Sequence, residues 1–224
     1  GEFWHRFSDC AFPGRGLPLS LDHTYSASLA AVTGPLGYGW SISYPSMRLS
    51  QDSGTGRVTI FEENGTEITF DPDPANPGEY VATTPRCVTT LVENGDGSWT
   101  FTRTNGGRVF EFDSTGKLVA LSSLVGDPTA ETTLAYDGSG RLSTVTDAAG
   151  RTLTFAWTGT RIDSVTDDSA PARSVEFDYD ANGDLVTWTD LGGGVWRFTY
   201  DGSHRMLTMR DPNNEGVGSP PVID

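Results

Sequence analysis

The chain has 224 residues, 36% of them hydrophobic and 11% aromatic, and its 27 Gly and 13 Pro are typical of many short strands and turns. Its 15 basic and 30 acidic residues give a formal net charge of −15, which argues against nucleic acid and anionic membranes as partners, because both bind basic surfaces. No apolar run reaches about 18 residues, so no membrane-spanning helix is expected, and two cysteines exclude a disulfide-dense scaffold.

The N-terminal part predicts an extension followed by an opening β-module. Residues 1–12 are assigned to the extension, and its first three residues resemble a cloning remnant, in which case the chain begins inside a longer protein. The opening module spans residues 13–111. It starts with two segments rich in Gly and Pro, residues 13–19 and 34–40, which predict strands joined by tight corners.

Hairpins are predicted inside this module. The strongest lies in residues 57–70, where Asn64-Gly65 supplies the turn. A proline-rich loop follows at residues 71–78, and residues 89–112 predict two more strand pairs around glycine-rich turns.

The second half of the chain carries a repeated phrase that begins with Tyr-Asp. Copies of this phrase begin at Tyr136, Tyr179 and Tyr200, an earlier copy begins at Phe112, and a copy without the Tyr-Asp pair begins at Trp157. The period is about 21 residues, with one longer insertion, which is too short for a helical hairpin of about 34 residues and suits two strands and two turns. Residues 112–211 are therefore predicted to form a curved sheet of antiparallel hairpins, and residues 212–224 a C-terminal tail.

The two strands of a repeat have different patterns. In the first strand, such as residues 174–179, apolar and polar residues alternate, and a period of two places the aromatic side chains on one sheet face. The second strand, such as residues 185–190, does not alternate strictly, which predicts a bulge or contacts on both faces. One hairpin cannot bury its aromatic residues alone, so neighbouring hairpins must pair into a continuous sheet, and the fold class is all-β.

The Asp and Gly of each repeat have the spacing of turn residues. Asp is favoured at the first position of a type I turn and Gly at the fourth, where it supplies a positive φ at little cost. The pairs with this spacing are Asp113 and Gly116, Asp137 and Gly140, and Asp180 and Gly183. After Asp201, His204 replaces the glycine, and His is enriched at positive φ. These residues are assigned to hairpin turns rather than to catalysis, and the Tyr of each copy to the core.

The remaining polar residues predict no catalytic, metal or cofactor site. His5, His23 and His204 have no metal-type spacing with each other or with the cysteines. Residues 180–184 resemble the start of a calcium loop, but Leu191 stands where a bidentate Glu is required. We therefore expect no enzyme activity and no cofactor.

Three single residues keep two interpretations each. Cys10 and Cys87 could form one long-range disulfide in an exported protein, or both could remain free thiols. Trp188 lies between the polar residues Thr187 and Thr189, so it is a candidate for stacking on a sugar, with core packing as the alternative.

Several of these features together resemble the YD-repeat proteins of the bacterial Rhs (rearrangement hotspot) family. They are Pro-Gly-Arg-Gly-Leu-Pro-Leu at residues 13–19, Gly-Pro-Leu-Gly-Tyr-Gly-Trp at residues 34–40, and the repeat over residues 112–211. The resemblance covers most of the chain. It departs at residues 157–161, which lack the Tyr-Asp pair, and at residues 169–173, where Ser-Ala-Pro-Ala-Arg replaces Gly-Arg.

The resemblance implies a role in encapsulation. In this family the repeats coil into a β-sheet shell that encloses a variable C-terminal toxin for interbacterial competition. The chain would be an N-terminal structural segment of such a shell, secreted or at a bacterial cell surface, and its partner would be the rest of the same polypeptide, shell and toxin. Asp211-Pro212 matches the family's self-cleavage signature only in Asp-Pro, so no autoproteolysis is expected. The alternative is a β-module that binds a cell-surface glycan or a protein receptor.

Overall fold

The computed structural model describes residues 3–84, 88–125, 127 and 130–214, and it confirms the all-β fold class. Two 3-10 helices, Ala27–Leu29 and Pro212–Asn214, accompany the strands. No helix in the described ranges is long and apolar enough to cross a membrane. The strands of the first part are β1 Trp4–Phe12, β2 Leu19–Ser26, β3 Thr33–Gly34, β4 Gly37–Tyr38, β5 Trp40–Ile42, β6 Arg48–Gln51, β7 Val58–Phe61, β8 Glu67–Pro72 and β9 Glu79–Ala82. The later strands are β10 Thr89–Glu93, β11 Trp99–Arg103, β12 Arg108–Phe112, β13 Leu118–Ser123, β14 Thr132–Tyr136, β15 Leu142–Thr146, β16 Thr152–Thr158, β17 Arg161–Asp167, β18 Ser174–Tyr179, β19 Leu185–Thr189, β20 Val195–Tyr200 and β21 Met206–Arg210.

The strands of the main sheet follow one another in the order of the chain. Among the described residues, this sheet has 16 strands that run from β6 to β21 without a crossover. The pairings are antiparallel, as expected for hairpins joined by short turns. A second sheet has the order β1-β2-β5, and β3 pairs with β4.

The repeat strands bury one face and expose the other. In β18, Val175 and Phe177 are 1% and 3% exposed, whereas Glu176 and Asp178 between them are exposed. The pairing of β18 with β19 shifts register between Asp178 and Tyr179. The same shift occurs where β14 ends at Tyr136 and where β20 ends at Tyr200. The predicted bulge is therefore confirmed, and it explains why the second strand of a repeat does not alternate strictly.

The chain forms two compact units, and both are discontinuous in sequence. Unit 1 contains Gly1–Ala11, Ser20–Ser43 and Thr152–Asp224, and unit 2 contains Phe12–Leu19 and Tyr44–Arg151. These boundaries differ from the predicted divisions after residues 12, 111 and 211. The residues assigned to an N-terminal extension form most of β1, which pairs with β2.

Candidate functional site: repeat turns and the docked opening segment

Each Tyr-Asp turn is built around the carboxylate of its aspartate. In the turn that starts at Asp137, Oδ1 accepts hydrogen bonds from the backbone N–H groups of Ser139 (2.8 Å) and Arg141 (2.9 Å). The Gly140 N–H donates to the Asp137 carbonyl at 2.9 Å, and Gly140 has a φ of 77°. This is a type I turn followed by a left-handed residue, a common hairpin connection.

The same arrangement recurs at the other copies. The carboxylates of Asp113, Asp180 and Asp201 accept N–H groups two and four residues later. The left-handed position is held by Gly116 (φ 83°), Gly183 (φ 92°) and His204 (φ 64°). The structure therefore places these sequence-predicted residues in hairpin turns, where Oδ1 of each aspartate accepts two backbone N–H groups.

A second set of turns, at the other end of the repeats, has the same chemistry and was not assigned from the sequence. Asp147, Asp167 and Asp190 each accept two backbone N–H groups from the residues that follow them. The signal in the sequence is Thr-Asp at the end of the second strand of each repeat.

Arginines clamp four of these aspartates. The Nε–H groups of Arg141, Arg151, Arg173 and Arg205 donate to Oδ2 of Asp137, Asp147, Asp167 and Asp201, at 2.8 to 2.9 Å. Burial raises the pKa of Asp167, but hydrogen bonds from Ser169 and Arg173 outweigh it and lower this pKa to about 2. The arginines therefore hold charged carboxylates in the turns.

The repeat tyrosine has a polar role that the sequence analysis missed. The hydroxyls of Tyr136, Tyr179 and Tyr200 donate to the carbonyls of Leu118 (2.6 Å), Ile162 (2.7 Å) and Leu185 (2.7 Å), respectively. Each acceptor belongs to the preceding strand of the sheet. Burial raises the pKa of all three phenols, so they remain protonated donors. The tyrosines are half-buried, and each joins one hairpin to the one before it.

In unit 1, the opening segment of residues 34–40 lies across successive repeat turns. The Ile162 N–H donates to the Pro35 carbonyl at 2.9 Å, and the Tyr38 ring stacks on His204 with centroids 3.7 Å apart. Trp40 Nε1–H donates to the Tyr200 hydroxyl at 2.9 Å. The residues that this segment contacts therefore recur along the sequence with the period of the repeat.

Glycines in this segment allow close approach to the turns. Gly37 has a φ of 87°, and a Cβ built there would collide with the Gly183 carbonyl. Only glycine fits at such a contact, because both the φ and the space exclude a side chain.

Tyr25 fixes β2 of unit 1 to the last described hairpin. Its hydroxyl donates to the His204 carbonyl at 3.1 Å and accepts the Met206 N–H at 2.8 Å. Tyr25 is 0% exposed, and the group is therefore a buried anchor with both hydroxyl functions in use.

In unit 2, early segments are held by the turns in a similar way. The Arg151 guanidinium donates to the carbonyls of Phe12 and Pro13, both at 3.0 Å. The Leu49 N–H of β6 donates to the Gly116 carbonyl at 2.8 Å, and a Cβ on Gly116 would collide with the Leu49 carbonyl. Gly116 therefore serves both the turn and the approach of β6.

Trp188 lies in the core, so its candidacy for sugar stacking is not supported. It is 4% exposed and packs against Phe7, His23 and Trp196 at centroid distances of 4.9, 4.6 and 5.2 Å. Trp188 pairs with Phe177 on the buried face of the sheet, in agreement with the core-packing interpretation.

A buried pair joins β1 to β2 within the same core. His23 Nδ1 lies 2.9 Å from Asp9 Oδ2, and both side chains are 0% exposed. Burying such groups costs desolvation energy, which their mutual attraction offsets.

Cys10 has a free, half-buried thiol, and burial raises its pKa to about 11. Cys87, the other residue of the possible disulfide, lies outside the described residues. No cluster of three or more metal-ligating side chains occurs in the described part of the chain.

Family models match both parts of the sequence. The model described as RHS Repeat matches residues 112–152, 136–167 and 179–215, and a Domain of unknown function (DUF6531) matches residues 1–70. No curated protein matches the chain.

The chain is also similar to solved structures of Tc toxins. The TcdB2-TccC3-Cdc42 and TcdB2-TccC3 crystal structures are each 14% identical to it over 89% of its length, with TM-scores of 0.40 and 0.36. The Photorhabdus luminescens Tc holotoxin pore with a TccC3 mutation is 13% identical over 87%, with a TM-score of 0.36. The chain covers 10% to 11% of those chains.

Proposed function

We propose, on the premise that the chain belongs to the Rhs family of YD-repeat proteins, that it is a wall segment of a β-sheet shell enclosing a toxin of the same polypeptide. The chain itself is a structural module of Rhs type. The proposed shell acts outside the cell or at its surface, in competition between bacteria, and has no catalytic activity of its own.

The observation that carries the proposal is the order of the main sheet. Among the described residues, 16 strands follow the order of the chain, so each new hairpin extends the same wall. Their turns use carboxylates that are bonded to backbone N–H groups, which supports a structural role for these residues.

The proposal is tested in two steps. The coding sequence after Asp224 should contain further Tyr-Asp repeats and then an unrelated segment. In the full polypeptide, that segment should resist limited proteolysis, and Gly116→Val, which disrupts the contact with β6, should expose it. Gly150→Val is the matched control, because Gly150 has nearly the same φ (82°) and nothing lies within 4 Å of a Cβ built there.

The outcome that overturns the proposal is equally plain. A coding sequence that ends without further repeats contradicts encapsulation. So does a terminal segment that is cleaved equally in the wild type and in Gly116→Val.

A further inference from the structure

Four Asn-Gly pairs of the chain each connect two strands of a hairpin. In such a pair the backbone nitrogen of the glycine can attack the side-chain carbonyl carbon of the asparagine, because glycine has no side chain to hinder the approach. The attack requires an unbonded asparagine side chain, an unbonded glycine N–H and room for the turn to change shape. The pairs are Asn64-Gly65, Asn94-Gly95, Asn105-Gly106 and Asn182-Gly183.

Asn105-Gly106, in the turn between β11 and β12, meets all three requirements. Asn105 is exposed, and its side chain forms no hydrogen bond with any residue that the structure describes. The Gly106 N–H likewise has no acceptor within the described ranges. A Cβ built on Gly106 or on Gly107 would meet nothing within 4 Å, so the space around this turn is open. Two successive glycines also leave its backbone free to rearrange.

Asn64 and Asn182 are held at both reacting groups. Their side chains are bonded to the Thr66 N–H at 3.0 Å and to Asp180 Oδ2 at 3.1 Å, respectively. In both pairs the glycine N–H donates to the carbonyl three residues earlier in the chain, at 3.0 and 3.1 Å. The attack therefore has to break hydrogen bonds of the folded turn at these two sites.

Asn94 is held at its side chain alone. Its Nδ2–H groups donate to Ser98 Oγ at 3.0 Å and to Thr100 Oγ1 at 3.1 Å, and the residue is half-buried. The Gly95 N–H has no acceptor in the described part of the chain. Asn94 therefore differs from Asn105 in its side-chain bonds and its burial, which makes it the matched comparison.

We propose that Asn105 is a self-modification site, at which the Gly106 nitrogen attacks Asn105 Cγ. The new C–N bond closes a succinimide ring, the Gly106 nitrogen loses its proton, and the side-chain nitrogen leaves as ammonia. Water then opens the ring at either carbonyl carbon. The product is an aspartyl or an isoaspartyl residue at position 105, and no oxidant or reductant is needed.

The modification would change the connection between β11 and β12 in unit 2. The Thr104 N–H donates to the Val88 carbonyl at 3.2 Å, and the Gly107 carbonyl accepts the Leu124 N–H at 2.7 Å, so both ends of the turn are fixed to neighbouring segments. An isoaspartyl residue lengthens the backbone between these two contacts by one carbon atom. Either product adds a negative charge to a chain whose formal net charge is already −15.

Peptide mapping by mass spectrometry, after incubation of the 224-residue chain in mildly alkaline heavy-oxygen water, tests the site. Heavy oxygen enters only those residues that are hydrolysed during the incubation, because the later digestion uses ordinary water. Asn105 should convert at least about two- to twelvefold faster than Asn94, the range for one hydrogen bond that must break before the attack. In urea the four pairs should convert at similar rates, since the unfolded chain lacks these bonds.

A variant of the comparison site tests the cause of the difference. Ser98→Ala combined with Thr100→Val removes both acceptors of the Asn94 amide. The rate at Asn94 should then rise towards that of Asn105, while the rate at Asn105 stays unchanged. Circular dichroism of the double variant verifies that it is folded, and the comparison of the four sites in the wild type does not depend on it.

Three results would overturn the inference. The first is conversion of Asn105 in the folded chain that is no faster than conversion of Asn94. The second is an advantage of Asn105 that persists in urea, because it would then come from the local sequence rather than from the fold. The third is a product at position 105 without heavy oxygen, which would place the reaction in the digestion. None of these results bears on encapsulation.

Discussion

The hydroxyl of Tyr200 donates a hydrogen bond of 2.7 Å to the carbonyl of Leu185, which lies one strand earlier in the sheet. The Tyr-Asp phrase therefore contains two separate devices. The aspartate closes its own hairpin, and the tyrosine bonds that hairpin to the previous one. Adjacent hairpins of the sheet are therefore connected by side-chain hydrogen bonds as well as by the backbone hydrogen bonds between strands.

Removing the hydroxyl of Tyr200 should lower the free energy of unfolding more than removing the hydroxyl of Tyr136. Tyr136→Phe should lower the free energy of unfolding by about 0.5–1.5 kcal/mol, because the Leu118 carbonyl loses one donor. Tyr200→Phe should cost about 1–3 kcal/mol, because Trp40 Nε1–H loses its acceptor as well. Urea unfolding measures both values. Equal losses for the two variants would contradict a role of Trp40 in the second.

Two glycines of equal backbone conformation should differ in tolerance to alanine. Gly116 and Gly150 have φ values of 83° and 82°, so both variants should lose about 1 kcal/mol from backbone strain. Gly116→Ala should lose at least about 1 kcal/mol more, because its Cβ meets the Leu49 carbonyl, whereas nothing lies within 4 Å of a Cβ at Gly150. Thermal unfolding of the two variants compares them directly, and identical melting would contradict the close approach of β6.

The clamp on Asp167 should make stability depend on acid pH. Its pKa is about 2 in the folded chain and about 3.9 when unfolded, so its contribution is complete above pH 4 and is lost as pH falls towards 2. The contribution is on the order of 1–2 kcal/mol. Urea unfolding of the wild type and of Asp167→Asn between pH 6 and pH 2.5 measures it. The difference between the two proteins should shrink as pH falls, and a constant difference would disprove the assignment.

His204 should stabilise the fold more than the glycine that the other repeat copies have at this position. His204→Gly relieves the left-handed backbone at φ 64°, but it removes the ring that stacks on Tyr38 and lies 2.9 Å from Oδ1 of the buried Asp184. We expect a net loss of about 1–3 kcal/mol, since a buried carboxylate without its partner is costly. The double variant His204→Gly with Asp184→Asn should recover part of this loss in chemical denaturation. A more stable His204→Gly protein would show that backbone strain dominates.

The turn residues were predictable from the sequence, whereas hydrogen bonds between residues distant in the sequence were not. The spacing of Asp137 and Gly140 depends only on turn geometry, which four residues determine. The bonds from Tyr200 to Leu185 and from Trp40 to Tyr200 join residues 15 and 160 positions apart, and no local period encodes them. Trp188 shows the same limit, because its sequence neighbours left sugar stacking and core packing both open, whereas its ring contacts aromatic residues of β1 and β2 that are distant in sequence.

The bond between Tyr25 and Met206 spans 181 residues of the chain and so has a consequence for synthesis on the ribosome. At about 5–20 residues per second, roughly 10 to 35 s separate the appearance of these two residues. During that interval the aromatic side chains of β2 and β5 have been made, but the repeat strands that cover them in unit 1 have not. The nascent chain therefore exposes these aromatic side chains to solvent until the hairpin of β20 and β21 emerges, and transiently exposed surface of this kind is prone to aggregate.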